Sequence, residues 1–450
     1  MGTQKTAPQT PAEARITAEF LGARMTLPGT AAIGDLRDAA FEFFMESGLP
    51  TRRLEAWHYT DLRQSMREAL PIAIAPAATA ILGLGARLET LVPRIEGLDT
   101  IRVVVVDGHF IPGLSDVARL PQGVSLCSLS DALGTGDPAL VAALCAGGQG
   151  VGDSALALNT AFMQGGIVLD VAADTDVGVP VEILSLCSGA QAQAVYGRSL
   201  VRLGAGARLT LIEADGMEDL RVEQRNCALV VEVGDGAAME HVFIPAQLAA
   251  GSSQVAHLLC TLGAHAHFNS FTLARGGGLM RRQAFVRFEG EFANAQLAGA
   301  SLLKGHDHFD TTLVVQHVAP NCVSREYFKF VLDGEATGVF QGKVSVAPGA
   351  QKTDGAMKSM AILLEDGASM NNKPELEIFA DDVVCGHGAT VAQLDEEQIF
   401  YAQARGLPRS EAESMLLEAF VDEATDRVEN ETLRETLTAR IAAWLVARRG

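Results

Sequence analysis

The sequence lacks the long apolar runs and leader segments that direct proteins into or across membranes. Its longest apolar runs, such as IRVVVV at 101–106, are far shorter than the ~20 residues that span a bilayer. The N-terminal stretch MGTQKTAPQTPAEARITAEF has no basic start followed by an apolar block, so we predict no secretion signal. With neither a signal nor a membrane segment, the expected compartment is the cytoplasm.

Basic residues and paired cysteines are also scarce. The chain has 35 Lys and Arg against 55 Asp and Glu, a net charge of -20, which argues against nucleic-acid binding because nucleic-acid binders concentrate positive charge. No two of its 7 cysteines form a Cys-x-x-Cys pair. We therefore interpret them as free thiols that pack as small hydrophobic residues in a reducing compartment.

Common nucleotide-binding and catalytic motifs are missing too. There is no P-loop, no His-Glu-x-x-His, no Gly-x-Ser-x-Gly, and no Gly-x-Gly-x-x-Gly placed between a strand and a helix. The stretches GAGARLT (204–210) and VGDGAAM (233–239) look superficially like phosphate-binding loops. Because they recur as turns between β-rich runs, we do not interpret them as phosphate sites.

The sequence does contain an imperfect repeat from about residue 155 to residue 385. Short β-rich runs alternate with Gly-Ala turns, and the first glycines of six such turns fall at 204, 234, 263, 290, 334 and 367. A recurrence of this size is typical of a β-solenoid, in which stacked coils bury one continuous core. A β-sandwich stays open, whereas a doubly wound sheet is disfavoured because the helices that its crossovers require are missing.

Both ends of the chain have helical patterns. At the C-terminal end, Asp395 is predicted to begin one helix, Ser410 and Glu413 to form a capping box for the next, and Asn430 to cap the last. We therefore predict a mainly β protein with three parts. These are an N-terminal mainly helical domain (1–150), a parallel β-helix core (151–392) and a C-terminal helical domain (393–450).

Two histidine pairs have the spacing of ligands on a strand. Residues i and i+2 of a strand share a face, so His265 with His267, or His306 with His308, could hold a metal. Neither pair has a further cysteine or carboxylate at an obvious ligand spacing beyond Asp310. Surface or structural histidines are therefore the preferred interpretation of both pairs.

Cys385 and His387 have the same spacing. If LEIFADDVVC (376–385) is the last solenoid strand, both side chains project from one face close to the open end. A thiolate and an imidazole together suit iron or zinc, but two ligands do not close a site, so a partner chain completes it or there is no site. A Cys–His nucleophile is less favoured because no orienting group or oxyanion hole is nearby, and simple packing stays open.

Several stretches resemble the SufB/SufD family of the SUF iron–sulfur cluster assembly system. They are PTRRLEAWHYTDLRQ (50–64), HDHFDTTLVVQHVAPNCVSR (306–325), KTDG (352–355) and KPELEIFADDVVCGHGATVAQLDEEQIFYAQARGL (373–407). The Cys-x-His-Gly string followed by LDEEQIFY is similar to the SufD branch of the family. A SufB-type paralogue is the alternative within it.

The resemblance implies a right-handed parallel β-helix between helical terminal domains, and a scaffold subunit rather than an enzyme. Such a subunit pairs through its solenoid end with a SufB-like paralogue. It binds a SufC-like ABC-type ATPase, which uses the ATP, through its C-terminal helical domain. A homodimer is possible for the isolated chain.

The resemblance implies no intrinsic cofactor. Iron or a nascent iron–sulfur cluster is then transient cargo of the complex. By position in the motif, His387 is the residue expected to face this cargo, with Cys385 as the second candidate.

A β-solenoid enzyme acting on polysaccharides is the alternative from another class. Such enzymes are usually secreted and line a groove with aromatic residues and carboxylates, whereas this chain has no export signal and is 6% aromatic, with 2 Trp and 4 Tyr. A third hypothesis is a self-sufficient metalloprotein that uses Cys385 and His387 in a homodimer.

Overall fold

Helices occupy both ends of the chain in the computed structural model, which describes residues 9–146, 152–189, 191–216, 222–249 and 251–448. The N-terminal α-helices are α1 (Pro11–Ala23), α2 (Ala31–Ser47), α3 (Leu62–Ser65), α4 (Ala78–Leu91), α5 (Leu129–Thr135), α6 (Pro138–Ala146) and α7 (Ser154–Phe162). The C-terminal α-helices are α8 (Glu396–Ala404), α9 (Arg409–Thr425) and α10 (Glu431–Ala447). Short 3-10 helices lie at Glu55–Trp57, Pro112–Leu114 and Val117–Arg119.

Two long sheets form the centre of the molecule. Sheet I contains β1 (Ile101–Val106), β2 (His109–Phe110), β5 (Val181–Leu186), β8 (Arg208–Asp215), β10 (Ala238–Ile244), β12 (His267–Ala274), β14 (Asn294–Leu303), β16 (Val323–Leu332), β18 (Asp354–Leu363) and β20 (Val384–Ala392). Sheet II contains β3 (Val124–Ser128), β4 (Ile167–Val171), β6 (Ala194–Val195), β7 (Arg198–Leu203), β9 (Gln224–Val233), β11 (Ser253–Leu262), β13 (Leu279–Phe288), β15 (His308–His317), β17 (Thr337–Val346) and β19 (Ser369–Ile378).

Consecutive strands alternate between the two sheets from β7 to β20, and neighbours within each sheet are parallel. Each coil therefore contributes one strand to each sheet. The inward-facing side chains of both sheets form one apolar cluster that runs through the stacked coils. This arrangement confirms the predicted mainly β solenoid between helical ends and rules out the sandwich.

The turn glycines at 204, 234, 263 and 290 recur because successive coils approach backbone to backbone at one corner. A Cβ atom placed on Gly234 would lie 2.6 Å from the carbonyl oxygen of Leu203, and one on Gly290 would lie 1.9 Å from the amide nitrogen of Ala264. Neither distance leaves room for a side chain, so the packing of successive coils requires glycine at these positions.

The helices cover the outer faces of the sheets. Helices α5, α6 and α7 pack on sheet II, and α9 and α10 pack on sheet I with Leu417 and Leu437 against Phe271 and Val331. Their apolar stripes thus bury sheet surface that would otherwise meet water.

Two of the three predicted caps at the C-terminal end are confirmed. The side chain of Asp395 accepts a hydrogen bond from the backbone N–H of Glu397, and that of Asn430 accepts one from Leu433. The capping box is wrong, because α9 already begins at Arg409 after Pro408 and the Glu413 carboxylate binds the Arg409 guanidinium at 2.8 Å.

The two ends of the solenoid differ. At the first end, the edge strands are β3 and the two-residue β2, which lie antiparallel to β4 and β1. At the last end, β19 and β20 are the edge strands, and within the described ranges no strand pairs with their outer edges. The predicted domain limits at 150 and 392 stay predictions, although β1 and β3, from the first predicted domain, pair with core strands.

The cysteines with described side chains are free thiols, and Cys260 and Cys322 are buried among them. The side chain of Cys145 lies outside the described residues. In the part of the chain that the structure describes, no helix is both long and apolar enough to cross a bilayer.

Candidate functional site

Cys385 and His387 lie on β20, the edge strand at the open end of sheet I. The last strand is not LEIFADDVVC, as expected from the sequence, because β19 ends at Ile378 and β20 begins at Val384. The acidic turn between them is fixed from the previous coil, where the Gln351 side chain accepts a hydrogen bond from the amide of Asp382 at 2.9 Å. The strand then continues past His387 to Ala392.

Both side chains belong to the inward face of the last coil. Cys385 stands in register with Gly355 of β18, and His387 with Met357. Met357 is buried in the core cluster, and residues aligned on neighbouring parallel strands point to the same side. Cys385 is partly buried and His387 is exposed. The two side chains therefore share a face at the rim of the core.

The surroundings of Cys385 favour its protonated form. Burial raises the pKa of the thiol, the backbone hydrogen bond of Gly355 lowers it, and the nearby carboxyl groups of Asp354 and Glu326 raise it further. A metal ion that displaced the proton would convert the thiol into a thiolate ligand.

A buried carboxyl group lies behind the pair. Glu326 of β16 is in register with Met357, and Met357 is in register with His387, so the three form one inward column. Glu326 is 1% exposed, and neither carboxyl oxygen has a hydrogen-bond partner among the described residues. Burial raises the pKa of Glu326 to about 8, so the group is mostly neutral at pH 7.

Sequence reasoning missed Glu326, although a signal was present. In the stretch SREYFKF, Glu326 lies two residues before Phe328 and four before Phe330, and both rings are buried in the core. Alternate residues of a strand share a face, so the Glu326 carboxyl group points inward as well.

Cys385 and His387, called the terminal pair below, are an incomplete set of metal ligands. No group of three or more His, Cys, Asp or Glu side chains in the described ranges is arranged to hold a metal ion. A thiol and an imidazole at an open rim can therefore bind a metal tightly only if another chain or a small ligand supplies the remaining positions.

The structure does not bring either histidine pair together as a site. His265 lies in a turn with a left-handed φ of 57° and stacks on Phe292, whereas His267 contacts Glu429 of the loop before α10 at 2.9 Å. His306 is exposed in a turn, and His308 forms a 2.9 Å hydrogen bond with Thr60.

Asp310 has a structural role as the partner of Arg281. The two side chains form a fully buried ion pair between β15 and β13, and the guanidinium lies 3.9 Å from the centre of the Trp57 ring. Trp57 donates a hydrogen bond from its indole nitrogen to Asp153 at 2.7 Å. These contacts hold the segment 50–64 against the outer face of sheet II.

Two exposed apolar surfaces lie near the end of the chain. The open-end surface consists of Ile378, Phe379, Val384 and Val391 on and beside the last coil. The α8 surface consists of Phe400 and Tyr401 on the first C-terminal helix. Exposed apolar patches of this kind commonly mark contacts with other proteins.

Comparison with known families decides between the open interpretations. The SufBD core domain of SUF system FeS cluster assembly matches residues 186–420, and the SufBD protein N-terminal region matches residues 24–183. The chain belongs to the SufBD family. This membership confirms the predicted resemblance and supports, at the level of the family, a scaffold role in iron–sulfur cluster assembly.

SufBD relatives span most of the chain. The iron–sulfur cluster assembly protein SufD of Escherichia coli is 30% identical over 410 residues, which cover 89% of this chain and 90% of that protein. An iron–sulfur cluster assembly SufBD family protein of Synechocystis is 28% identical over 405 residues, covering 87% and 86%. One of Mycobacterium tuberculosis is 30% identical over 283 residues, covering 61% and 70%.

Proposed function

We propose that the chain is a scaffold subunit for iron–sulfur cluster assembly whose terminal coil supplies His387, and secondarily Cys385, to iron or a nascent cluster. The observation that carries the proposal is the position of these two side chains on the inward face of an unpaired edge strand. Iron–sulfur clusters are held mostly by thiolates and in some sites by imidazoles. The iron or cluster is cargo that passes through the site.

The remaining ligands come from a partner with the same fold. An edge strand presents unpaired backbone groups that can pair with a strand of another chain. The open-end surface adds apolar area beside β19 and β20. These features favour a SufB-like paralogue that continues the solenoid and closes the ligand set, with a homodimer as the arrangement of the isolated chain.

The C-terminal helices provide the second contact. We infer that the α8 surface and the adjoining helices hold a SufC-like ABC-type ATPase, because Phe400 and Tyr401 are exposed beside helices that are anchored on sheet I. ATP is then used by that partner. The chain itself acts as a cytoplasmic scaffold and not as an enzyme.

The proposal is tested by anaerobic co-expression with SufB-like and SufC-like partners and spectroscopy of the purified complex. His387→Ala is expected to leave the subunit composition unchanged and to lower cluster assembly by about tenfold or more, as loss of a metal-site residue does elsewhere. The matched control is His306→Ala, which removes an exposed histidine from a turn distant in sequence.

Cys385→Ser tests the secondary role in the same preparation, and a smaller loss of assembly is expected. A His387→Ala complex that assembled clusters at the wild-type rate would contradict the proposal. Stoichiometric iron held by the chain purified alone would favour a self-sufficient metalloprotein instead.

A further inference from the structure

An ion pair between a buried ammonium and a carboxylate that is 58% exposed joins the C-terminal helices to the sheet that carries the terminal pair. Lys329 lies on the outer face of β16 with its side chain 0% exposed, and its ammonium is 2.8 Å from a carboxylate oxygen of Glu423 on α9. Glu423 is the only carboxylate that the described residues place within 4.0 Å of it. Lys329 thus belongs to sheet I and Glu423 to the C-terminal helices.

The other groups around the Lys329 ammonium are aromatic rings and a thioether, none of which carries a negative charge. The Phe420 ring lies 4.0 Å from the ammonium, and the Met360 sulfur lies 3.9 Å away. Tyr327 donates its hydroxyl hydrogen to the same Glu423 carboxylate at 2.5 Å. Because separation of α9 from β16 would leave the buried Lys329 ammonium without this carboxylate, the ion pair opposes that separation.

Strand pairing extends this constraint to the end of the solenoid. Lys329 is in register with Met360 of β18, and Met360 is in register with Thr390 of β20. The strand with Cys385 and His387 is therefore two strands away from the ion pair. Within sheet I, β20 is supported on one side only, by β18.

The helices themselves stop short of the terminal strand. Their apolar contact with sheet I includes Val331 of β16 and Ile362 of β18, and among the residues that the structure describes it includes none from β20. A displacement of α9 can thus reach β20 through β16 and β18 of the sheet, or along the chain through Leu394, which packs against both α8 and the cluster of α9 and α10.

We propose that the Lys329–Glu423 pair couples the position of α9 to the position of the strand that carries Cys385 and His387. Lys329 is then a positioning residue, since it acts on the terminal pair through β18. The inference rests on the proposed function for its purpose, because α9 belongs to the helices assigned to a partner. The coupling itself is a property of the isolated chain and can be measured there.

The test is hydrogen exchange of backbone amides in the isolated full-length chain. Glu423→Gln keeps the shape of the side chain and removes its charge. We expect exchange in 354–363 and 384–392 to become about tenfold faster or more, with β8 and β10 unchanged, because only the strands beyond the unpaired ammonium lose support. Equal acceleration in all strands, or none in 384–392, would overturn the proposal.

The matched control is Glu240→Gln. The Glu240 carboxylate accepts hydrogen bonds from the backbone of Glu429 and Asn430, so it also anchors the C-terminal helices, but it lies on β10. Its loss is expected to leave exchange in 384–392 at the wild-type rate. Acceleration there equal to that of Glu423→Gln would assign the effect to general loosening of the helices.

A double variant shows whether the effect of Glu423→Gln comes from the unpaired charge or from altered packing. It also keeps the proposal testable if Glu423→Gln alone fails to fold. Lys329→Met with Glu423→Gln removes the unpaired ammonium, and exchange in 384–392 is expected to return to within about threefold of wild type. Equally fast exchange in the single and double variants would overturn the assignment to the ion pair.

Measurements on the complex keep the coupling distinct from the proposed function. There, Glu423→Gln is expected to slow cluster assembly in those complexes that still contain the ATPase, so that loss of the partner is not mistaken for loss of the coupling. Faster exchange in the isolated chain with normal assembly in the complex would confirm the coupling and count against the role proposed for the terminal pair.

Discussion

At the scale of single residues, Glu326 has the most unusual chemistry near the terminal pair. Its carboxyl group is enclosed by the core without hydrogen-bond partners among the described residues, and burial raises its pKa to about 8 from an ordinary value of 4.5. Folding therefore requires the group to keep a proton that the unfolded chain releases at neutral pH.

This requirement predicts a pH dependence of stability. Below about pH 4.5 the Glu326 carboxyl group is protonated in both the folded and the unfolded chain, so it does not affect stability. As the pH rises, the unfolded chain loses this proton before the folded chain does. The free energy of unfolding therefore falls until about pH 8. The loss between pH 6 and pH 8 is about 2 kcal/mol. Urea unfolding at several pH values should show this slope in the wild type and a flatter one in Glu326→Gln. If Glu326→Gln showed the same dependence of stability on pH as the wild type, Glu326 would not be its cause. Glu335→Gln, which changes an exposed carboxyl group, is the control and should keep the slope of the wild type.

The buried Arg281–Asp310 pair yields a second residue-scale prediction. Asp310→Ala leaves the Arg281 guanidinium buried without its carboxylate, and we expect the free energy of unfolding to fall by about 3–5 kcal/mol. The double variant Arg281→Met with Asp310→Leu should recover most of this loss, since apolar residues of similar size replace both charges. Chemical denaturation checks both values, and equal loss in the single and double variants would contradict the explanation.

At the scale of secondary-structure elements, the coil repeat was visible from the sequence wherever glycine occupies the corner. The irregular step between glycines 290 and 334 has a structural cause. A corner residue with a left-handed φ recurs evenly, every 27 to 31 residues, first as glycine and then as other residues: Gly206, Gly236, His265, Phe292, Asn321 and Lys352. Gly334 and Gly367 belong to the opposite corner, after strands of sheet I. A glycine pattern alone could not reveal that change.

Helix α8 carries the element-scale prediction for partner binding. Phe400 is 71% exposed, so Phe400→Asp should leave the fold intact while weakening co-purification of the SufC-like ATPase by about tenfold or more. Met25→Asp, which changes another exposed apolar residue at the opposite end of the sequence, is the control. Undiminished ATPase binding by the Phe400 variant would contradict the proposed contact.

A point variant tests this contact more cleanly than removal of the helices. Deletion from about residue 408 onward is also expected to abolish ATPase binding. However, α9 and α10 cover the outer face of sheet I with a shared apolar cluster. Deletion would expose that face and destabilise the solenoid, so loss of binding would have two causes.

At the scale of the whole molecule, the sequence motif predicted Cys385 and His387 as site residues, but it gave no indication of Glu326 and Lys329 on the nearby strand β16. Glu326 and Lys329 lie on one β-strand with opposite orientations, one inside the core and one beneath α9. Their roles depend on which strands become neighbours, and parallel coils bring together residues about 30 positions apart. Local patterns report the orientation of a side chain, whereas its partners follow from the register of the coils.

The difference between the two ends of the solenoid leads to the last prediction. At the first end the edge strands β2 and β3 are short and antiparallel to their neighbours, so pairing with another parallel solenoid is expected at the longer edge strands β19 and β20. Val384 is 73% exposed on the edge strand, and lysine at such a position opposes strand pairing because its charge would have to be buried. Val384→Lys should therefore abolish co-purification of the SufB-like partner while the chain itself stays folded.

Val446→Lys is the matched control for this substitution. Val446 is 69% exposed on α10, so the two variants make the same change at similar exposure but at different places on the molecule. Partner binding measured by co-purification and size-exclusion chromatography should be lost only with the Val384 variant. If Val384→Lys bound the partner like the wild type, the open end would not be the pairing surface, and Cys385 and His387 would then have no second chain to complete their ligand set.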